Sequence, residues 1–159
     1  GHALGRPVAF MAKAELFDVP LLGRLIRALG AYPVRRGASD RDAIRTATAT
    51  LEAGWATGVF LDGTRQADGR VNAPLPGAAL LAARSGAPLL PVAILNSHRA
   101  LGSRQFCPRL VPIQLRIGTP IPPPASRRRA DLDATTALLQ NSINALLDQG
   151  LQHPLDHGQ

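Results

Sequence analysis

The sequence is short of the residues that carry most site chemistry: one cysteine, one lysine, one methionine, and aromatics at only 4%. A single cysteine, Cys107, excludes a disulfide framework within the chain and fits a reducing compartment. No motif surrounds it, so it reads as a small apolar filler rather than a reactive thiol. With few aromatics, the core has to be aliphatic. No apolar run reaches the length that spans a bilayer, and no signal peptide opens the chain. His2, His98, His153 and His157 have no partners at metal-ligand spacing, so no metal site is expected. The G-x-S-x-G elbow and the Walker loop are both missing, which removes the commonest hydrolase and P-loop chemistries. There is no RNA-recognition motif, and aromatics are not interleaved with the arginines, so nucleic acid is not an expected partner.

What is present is arginine, 17 residues against the lone Lys13, and a net charge of +7. A GC-rich genome produces such a bias toward arginine by itself. The charge still suits phosphorylated ligands, acidic carrier proteins or an anionic membrane surface. A length of 159 residues fits one domain with one core.

Strand and helix signals alternate, which predicts a single α/β domain with a mixed, largely parallel sheet flanked by helices. It is expected to span residues 1–150, with a flexible tail over 151–159. A strand is predicted over residues 7–12. Asp18 is the expected cap of a helix running to Leu29, with Pro20 in its first turn and Gly30 after its end. Leu21, Leu22, Leu25, Ile26 and Leu29 recur at helical spacing, with Arg24 and Arg27 between them. Packing of this apolar face on the sheet is the expectation; a basic amphipathic face at a membrane is the alternative. A short strand follows over residues 32–35, its Pro33 pointing to an edge or a strand start. Ser39-Asp40-Arg41-Asp42 is a capping pattern for a helix ending at Gly54. A loop covers 66–76, and a helix of small residues covers 77–84. Residues 88–95 form a continuous apolar run, read as a strand buried on both faces. A further strand is expected within 110–118, then a stiff linker at Pro120 and Pro122–Pro124, then a last helix over 131–149.

The stretch over residues 58–66 concentrates the chemistry. Val59, Phe60 and Leu61 read as a buried strand that runs into the turn dipeptide Asp62-Gly63. Thr64 and Arg65 follow, and a guanidinium at the end of a strand is placed to fork onto phosphate or carboxylate. Phe-Leu-Asp-Gly-Thr resembles the first motif of haloacid-dehalogenase-type phosphatases. Phe60 stands where that family needs its nucleophilic aspartate, and a phenyl ring cannot be phosphorylated.

A wider resemblance joins four blocks in order. Residues 6–16, RPVAFMAKAEL, resemble the "FMAKxEL" run of the bacterial lysophosphatidic acid acyltransferase family. Residues 20–23 and 30–36, PLLG and GAYPVRR, resemble its second block, which ends on a substrate-binding arginine, here Arg36. Residues 60–65, FLDGTR, resemble "FPEGTR", and residues 90–94, LPVAI, resemble "VPVxI". The resemblance implies a glycerolipid acyltransferase-like α/β fold. It also implies acyl transfer from acyl-CoA or acyl carrier protein, as co-substrate, to the hydroxyl of lysophosphatidic acid or a related lysolipid. No other cofactor is implied. Arg65, Arg36 and Lys13 would bind the substrate phosphate, with Gly63 and Thr64 shaping the turn and Asp62 standing for the motif carboxylate. Membrane partnership at the cytoplasmic face is implied as well.

Two departures qualify this. The family activates the acceptor hydroxyl with a His-x4-Asp dyad shortly before "FMAKxEL". Here His2 meets Pro7, His98 meets Ser103 and His153 meets Gly158. The start at Gly1-His2, without an initiator Met, fits a chain beginning just downstream of such a dyad, and these residues alone are then expected to be inactive. An anionic-lipid or carrier-protein binding module of the same fold is the alternative. The second departure is Leu61-Asp62 in place of Pro-Glu, a carboxylate one methylene shorter.

Overall fold

A computed structural model describes residues 5–34, 41–63, 68–97 and 111–152. The elements are β1 (Val8–Lys13), a 3-10 turn (Ala14–Phe17), α1 (Pro20–Ala28), β2 (Ala31–Val34), α2 (Arg41–Glu52) and β3 (Ala56–Gly58). They continue with α3 (Gly77–Ser85), β4 (Val92–Leu95), β5 (Gln114–Ile117) and α4 (Arg129–Gln152). The chain folds as two compact units that meet in sequence between Phe60 and Leu61.

The first unit holds a parallel sheet in the order β2-β1-β3. β1 is central, so its run Val-Ala-Phe-Met-Ala-Lys has partners on both sides. Pro33 lies on β2, an edge strand, where its missing N–H leaves no gap in an inner ladder. α2 turns Ala43 and Ala47 into the core beside Ala9, Phe17 and Tyr32. The capping pattern at 39–42 falls largely outside the described residues.

α1 departs from expectation in two ways. Its N-cap is Val19, extended at φ −78° and ψ 116°, and no side chain caps it. Asp18 is therefore not the cap. The residue before a proline is pushed out of the helical region, so Pro20 fixes the first helical position one residue later than an Asp18 cap requires. The helix also fails to bury its leucines. Gly23 is its buried point, and a Cβ built there would overlap the Phe17 carbonyl. The missing side chain lets the helix backbone settle directly onto the 3-10 turn. That contact fixes which face turns inward, and it is not the leucine face. Leu21 is 85% exposed, Leu25 57% and Leu29 67%.

The strand expected at Val59–Leu61 lies three residues earlier. β3 pairs with β1 only from Ala56 to Gly58, where Gly58 sits opposite Phe10. The Phe10 ring occupies the space a Gly58 side chain would fill. Past this point the chain leaves the ladder; Phe60 is 62% exposed and Leu61 is buried in the turn that follows.

The second unit is built on α4. The antiparallel pair β4-β5 lays Ala93 and Leu95 against Leu147, Ile143 and Leu146 of that helix. The run over 88–95 is thus neither a long strand nor buried on both faces. Pro88 and Pro91 lack N–H donors, so regular pairing begins at Val92. Ile94 and its partner Leu115 face outward. The proline-rich segment after β5 is no free linker, because Leu89 and Ile121 exchange backbone hydrogen bonds of 2.8 and 2.7 Å. α3 buries Ala78, Ala79, Leu81 and Ala82 and packs on α4. α4 runs on to Gln152, so residues 151 and 152 of the expected tail are helical, and the rest of it lies outside the described residues. Among the described residues no helix is long and apolar enough to cross a membrane.

Gly23→Ala tests the seating of α1. Alanine is the better helix former by about 1 kcal/mol. Its methyl would nonetheless meet backbone that cannot swing aside, and overpacking of this kind costs about 1–3 kcal/mol. A net loss of stability in urea titration is expected; a gain would mean that the close approach does not set the helix.

Candidate functional site

The FLDGTR motif leaves the first unit and enters the second at a turn. Gly63 holds φ +63°, a backbone region that disfavours side chains, which explains a glycine at this place. Asp62 turns its carboxylate toward the backbone of the loop that follows. Its Oδ2 accepts the Asn72 N–H at 3.1 Å and its Oδ1 accepts the Ala73 N–H at 3.3 Å. The Leu75 N–H donates to the Leu61 carbonyl at 2.8 Å. The motif carboxylate therefore pins the far end of the following loop to the turn. A shorter Asp in place of Glu suits this contact, because its target backbone lies directly beside the turn.

The same loop is held from the other side by α4. Arg70 forks onto Asp148 at 2.6 and 3.2 Å. Asn144 accepts the Val71 N–H at 3.0 Å and donates to the Val71 carbonyl at 3.1 Å, and Gln140 donates to that carbonyl at 2.9 Å. Asp68 accepts the Arg70 N–H at 3.0 Å, closing a local turn. Gln140, Asn144 and Asp148 stand four residues apart and so share one helix face. Sequence reasoning missed this stripe: its i, i+4 spacing is visible, but nothing in it marks the amides as partners of a loop backbone some 70 residues earlier.

Hydrogen bonding lowers the pKa of the carboxyl groups along this line. The Arg70 guanidinium holds the Asp148 carboxyl below its usual range. The backbone N–H of Arg70, then the Asn72 side chain, do the same for Asp68. At the start of α4 the Ser126 hydroxyl, donating to Asp131, lowers that carboxyl too.

The residues expected to bind phosphate are placed unevenly. Gly63 lies in the turn, next to the motif carboxylate Asp62. Lys13 is the last residue of β1, in register with Val34 at the end of β2. Parallel pairing sends the C-terminal ends of β1, β2 and β3 to one sheet edge, the usual location of ligand sites in α/β sheets. The Lys13 side chain, Arg36, Thr64 and Arg65 lie outside the described residues. Tyr32, within the second block, is buried with no hydrogen-bond partner for its hydroxyl among the described residues, and burial pushes its pKa up to about 12. Among the described residues no cluster of three or more His, Cys, Asp or Glu could hold a metal ion. An open groove of about 760 Å³ runs along β5 and α4, lined by Ile117, Ile121, Leu138 and Leu146, and contains none of the motif residues.

With this geometry in place, comparison with known proteins is decisive on the family. The acyltransferase family model matches residues 1–95, which include all four blocks. The chain belongs to the acyltransferase family. It is 27% identical over 101 residues to a chloroplastic 1-acyl-sn-glycerol-3-phosphate acyltransferase of Brassica napus, covering 62% of this chain and 29% of that protein. It is 34% identical over 87 residues to the 1-acyl-sn-glycerol-3-phosphate acyltransferase of Bacillus subtilis, covering 54% of this chain and 42% of the relative. The chain thus spans less than half the length of these curated relatives. The crystal structure of the 1-acyl-sn-glycerophosphate acyltransferase from Thermotoga maritima superposes with a TM-score of 0.69 at 25% identity, covering 90% of this chain and 57% of that one. The α/β fold, with a parallel sheet flanked by helices, is that of this acyltransferase.

Two predictions follow from the clamp on Val71. Asn144→Ala removes an acceptor and a donor together and should cost about 1–2 kcal/mol, read as a lower urea midpoint; the same substitution should open the segment 68–73 to limited proteolysis. Carboxylates held below their usual range stabilise the fold above about pH 4 and lose that contribution as pH falls through their folded values. Acid should therefore weaken the clamp, and Asp148→Asn should flatten the stability profile below about pH 4. An unaltered acid profile in that variant would show that the Arg70 fork does not contribute.

Proposed function

We propose that the intact protein transfers a fatty acyl group from an acyl thioester to the free hydroxyl of lysophosphatidic acid or a related lysolipid. The observation that carries this reading is the family match over residues 1–95, a span that contains all four blocks. The names of the relatives support the acceptor class. In the proposed reaction the acceptor oxygen attacks the thioester carbonyl carbon. A C–O bond forms, the C–S bond breaks, a base takes the hydroxyl proton and the thiolate leaves. Acyl-CoA or acyl carrier protein serves as donor, and no further cofactor is required.

On this reading Arg65, Arg36 and Lys13 are the phosphate-binding residues that the motif blocks imply, with Gly63 and Thr64 as the turn residues of the FLDGTR motif. The convergence of three strand ends on one sheet edge supports the assignment for Lys13. Asp62 acts indirectly: it ties down the loop that follows the motif, and so fixes the turn from which Arg65 departs. Residues 1–159 contain no His-x4-Asp pair. The 159-residue chain by itself is therefore proposed to bind substrate without turning it over. That same observation favours one other reading, a module that binds anionic lipid or a carrier protein without catalysis. We place the protein at the cytoplasmic face of the membrane, where its acceptor resides.

Arg65→Ala in the intact protein separates these possibilities. Losing a charge-assisted contact should lower kcat/KM for the phosphorylated acceptor about 10- to 100-fold. An unphosphorylated monoacylglycerol acceptor should be little affected. Unchanged kinetics on lysophosphatidic acid would overturn the phosphate assignment. No transfer by the intact protein to any lysolipid would leave the binding-module reading.

A further inference from the structure

Two carboxylates flank residues 63–67, and one residue joins them. Asp62 stands before this segment and Asp68 after it. Asn72 meets both. Its backbone N–H donates to Asp62 Oδ2 at 3.1 Å, and its side-chain amide donates to the Asp68 carboxylate oxygens at 3.3 and 3.4 Å. Ala73, the next residue, gives its own N–H to Asp62. Leu75 closes the entry side from a second direction. Its N–H donates to the Leu61 carbonyl at 2.8 Å, and a Cβ on Gly63 would lie 3.2 Å from its side chain. On the other side of Asn72, the peptide groups of Val71 are taken by Asn144 and Gln140, and Arg70 is forked onto Asp148. Entry to and exit from residues 63–67 are thus both tied to residues 70–75, and these in turn to α4. In sequence, Arg65 falls between the two tied points.

We infer that Asn72, with Asn144 and Asp148 behind it, is a positioning residue that sets affinity for the phosphorylated acceptor by fixing both ends of the segment that carries Arg65. These side chains act through the loop rather than on the substrate. A guanidinium binds phosphate more tightly from a fixed backbone, because less freedom is lost on binding. Asn144 and Asp148 lie outside residues 1–95, the span matched by the family model, so acceptor selection extends here to a helix beyond it. This role rests on the proposed assignment of Arg65 to the acceptor phosphate. The phosphate is remote from the reacting hydroxyl, so its contact is made alike in ground and transition states. Loosening it therefore raises KM and leaves kcat. Lost folding acts in the opposite sense: it lowers the amount of active enzyme, and so the apparent kcat on every acceptor, while KM stays.

Steady-state kinetics of the intact protein test this, with lysophosphatidic acid and monoacylglycerol as acceptors. Asn72→Ala and Asn144→Ala should each raise KM for lysophosphatidic acid about 3- to 10-fold, with kcat held within about twofold. KM for monoacylglycerol should not move. In an Arg65→Ala background, Asn144→Ala should add nothing to KM, because the contact it orders is already gone. Asp133→Asn breaks an exposed ion pair on the same helix, away from the loop, and should leave both constants as in the parent. KM does not depend on the fraction of enzyme folded, so a loss of stability does not obscure the result. Gln140→Ala, which removes one bond and leaves the Val71 N–H held, takes the place of Asn144→Ala if that variant does not fold; a smaller rise in KM is expected. Unchanged KM in the asparagine variants of an enzyme whose Arg65→Ala responds overturns the inference. So do effects that add to that of Arg65→Ala, or an equal rise in Asp133→Asn. An unchanged KM in Arg65→Ala itself overturns the phosphate assignment and this role with it. Should the intact parent transfer to no lysolipid, the dissociation constant of lysophosphatidic acid from the 159-residue chain is compared instead. The asparagine variants should weaken that binding by the same factor, and equal constants overturn the inference.

Discussion

Three polar side chains on one face of the last helix hold a loop that has no secondary structure of its own. Gln140 and Asn144 satisfy both the N–H and the carbonyl of Val71, as a neighbouring strand would, and Asp148 takes the Arg70 fork. A buried peptide group without partners is costly, so the loop lies down only where the helix offers this match. One residue further on, Asn72 and Ala73 present their N–H groups to Asp62. The position of the FLDGTR turn thus depends on a helix nearly 80 residues downstream through a short line of hydrogen bonds. This accounts for an acidic residue in the motif without asking it to touch substrate, and for an arginine, rather than a lysine, at position 70: only the planar fork meets both carboxylate oxygens.

The two units use small residues for opposite ends. In α3, Ala78, Ala79 and Ala82 draw the helix against α4 and bury its surface. In α1, Gly23 draws the backbone against the 3-10 turn and so leaves the larger side chains outside. The first arrangement builds core in a chain poor in aromatics. The second produces an exposed leucine face next to two arginines, the feature that separates this helix from an ordinary packed one.

Much of the fold was legible because its signals are local. Pro20 and Gly30 bracket α1, Gly86 ends α3 in the left-handed region, and the helical spacing of leucines marks α4. The two misplaced strands share one cause. Val59–Leu61 and the run over 88–95 were read as strands from apolar content. A strand also needs a partner in register, and a run of valine and leucine does not say where the ladder stops. β3 stops where the Phe10 ring lies over Gly58, and β4 starts where the prolines end. For the site, the motif blocks identified Asp62 and Gly63 correctly as a turn, while the partners of Asp62 were invisible, since nothing in the spacing of Asn72 and Ala73 marks them as its donors.

By itself the sequence determined the family, the alternation of strands and helices, the turn at Asp62-Gly63 and the concentration of positive charge. These depend on residue type and near-neighbour spacing, which the chain carries along its length. Only the tertiary structure decided what Asp62 binds, which amides of α4 hold Val71, and which way the leucines of α1 face. Those outcomes depend on contacts between segments far apart in sequence, or on one missing methyl group at Gly23, whose effect exists only once the helix and the turn beneath it have met.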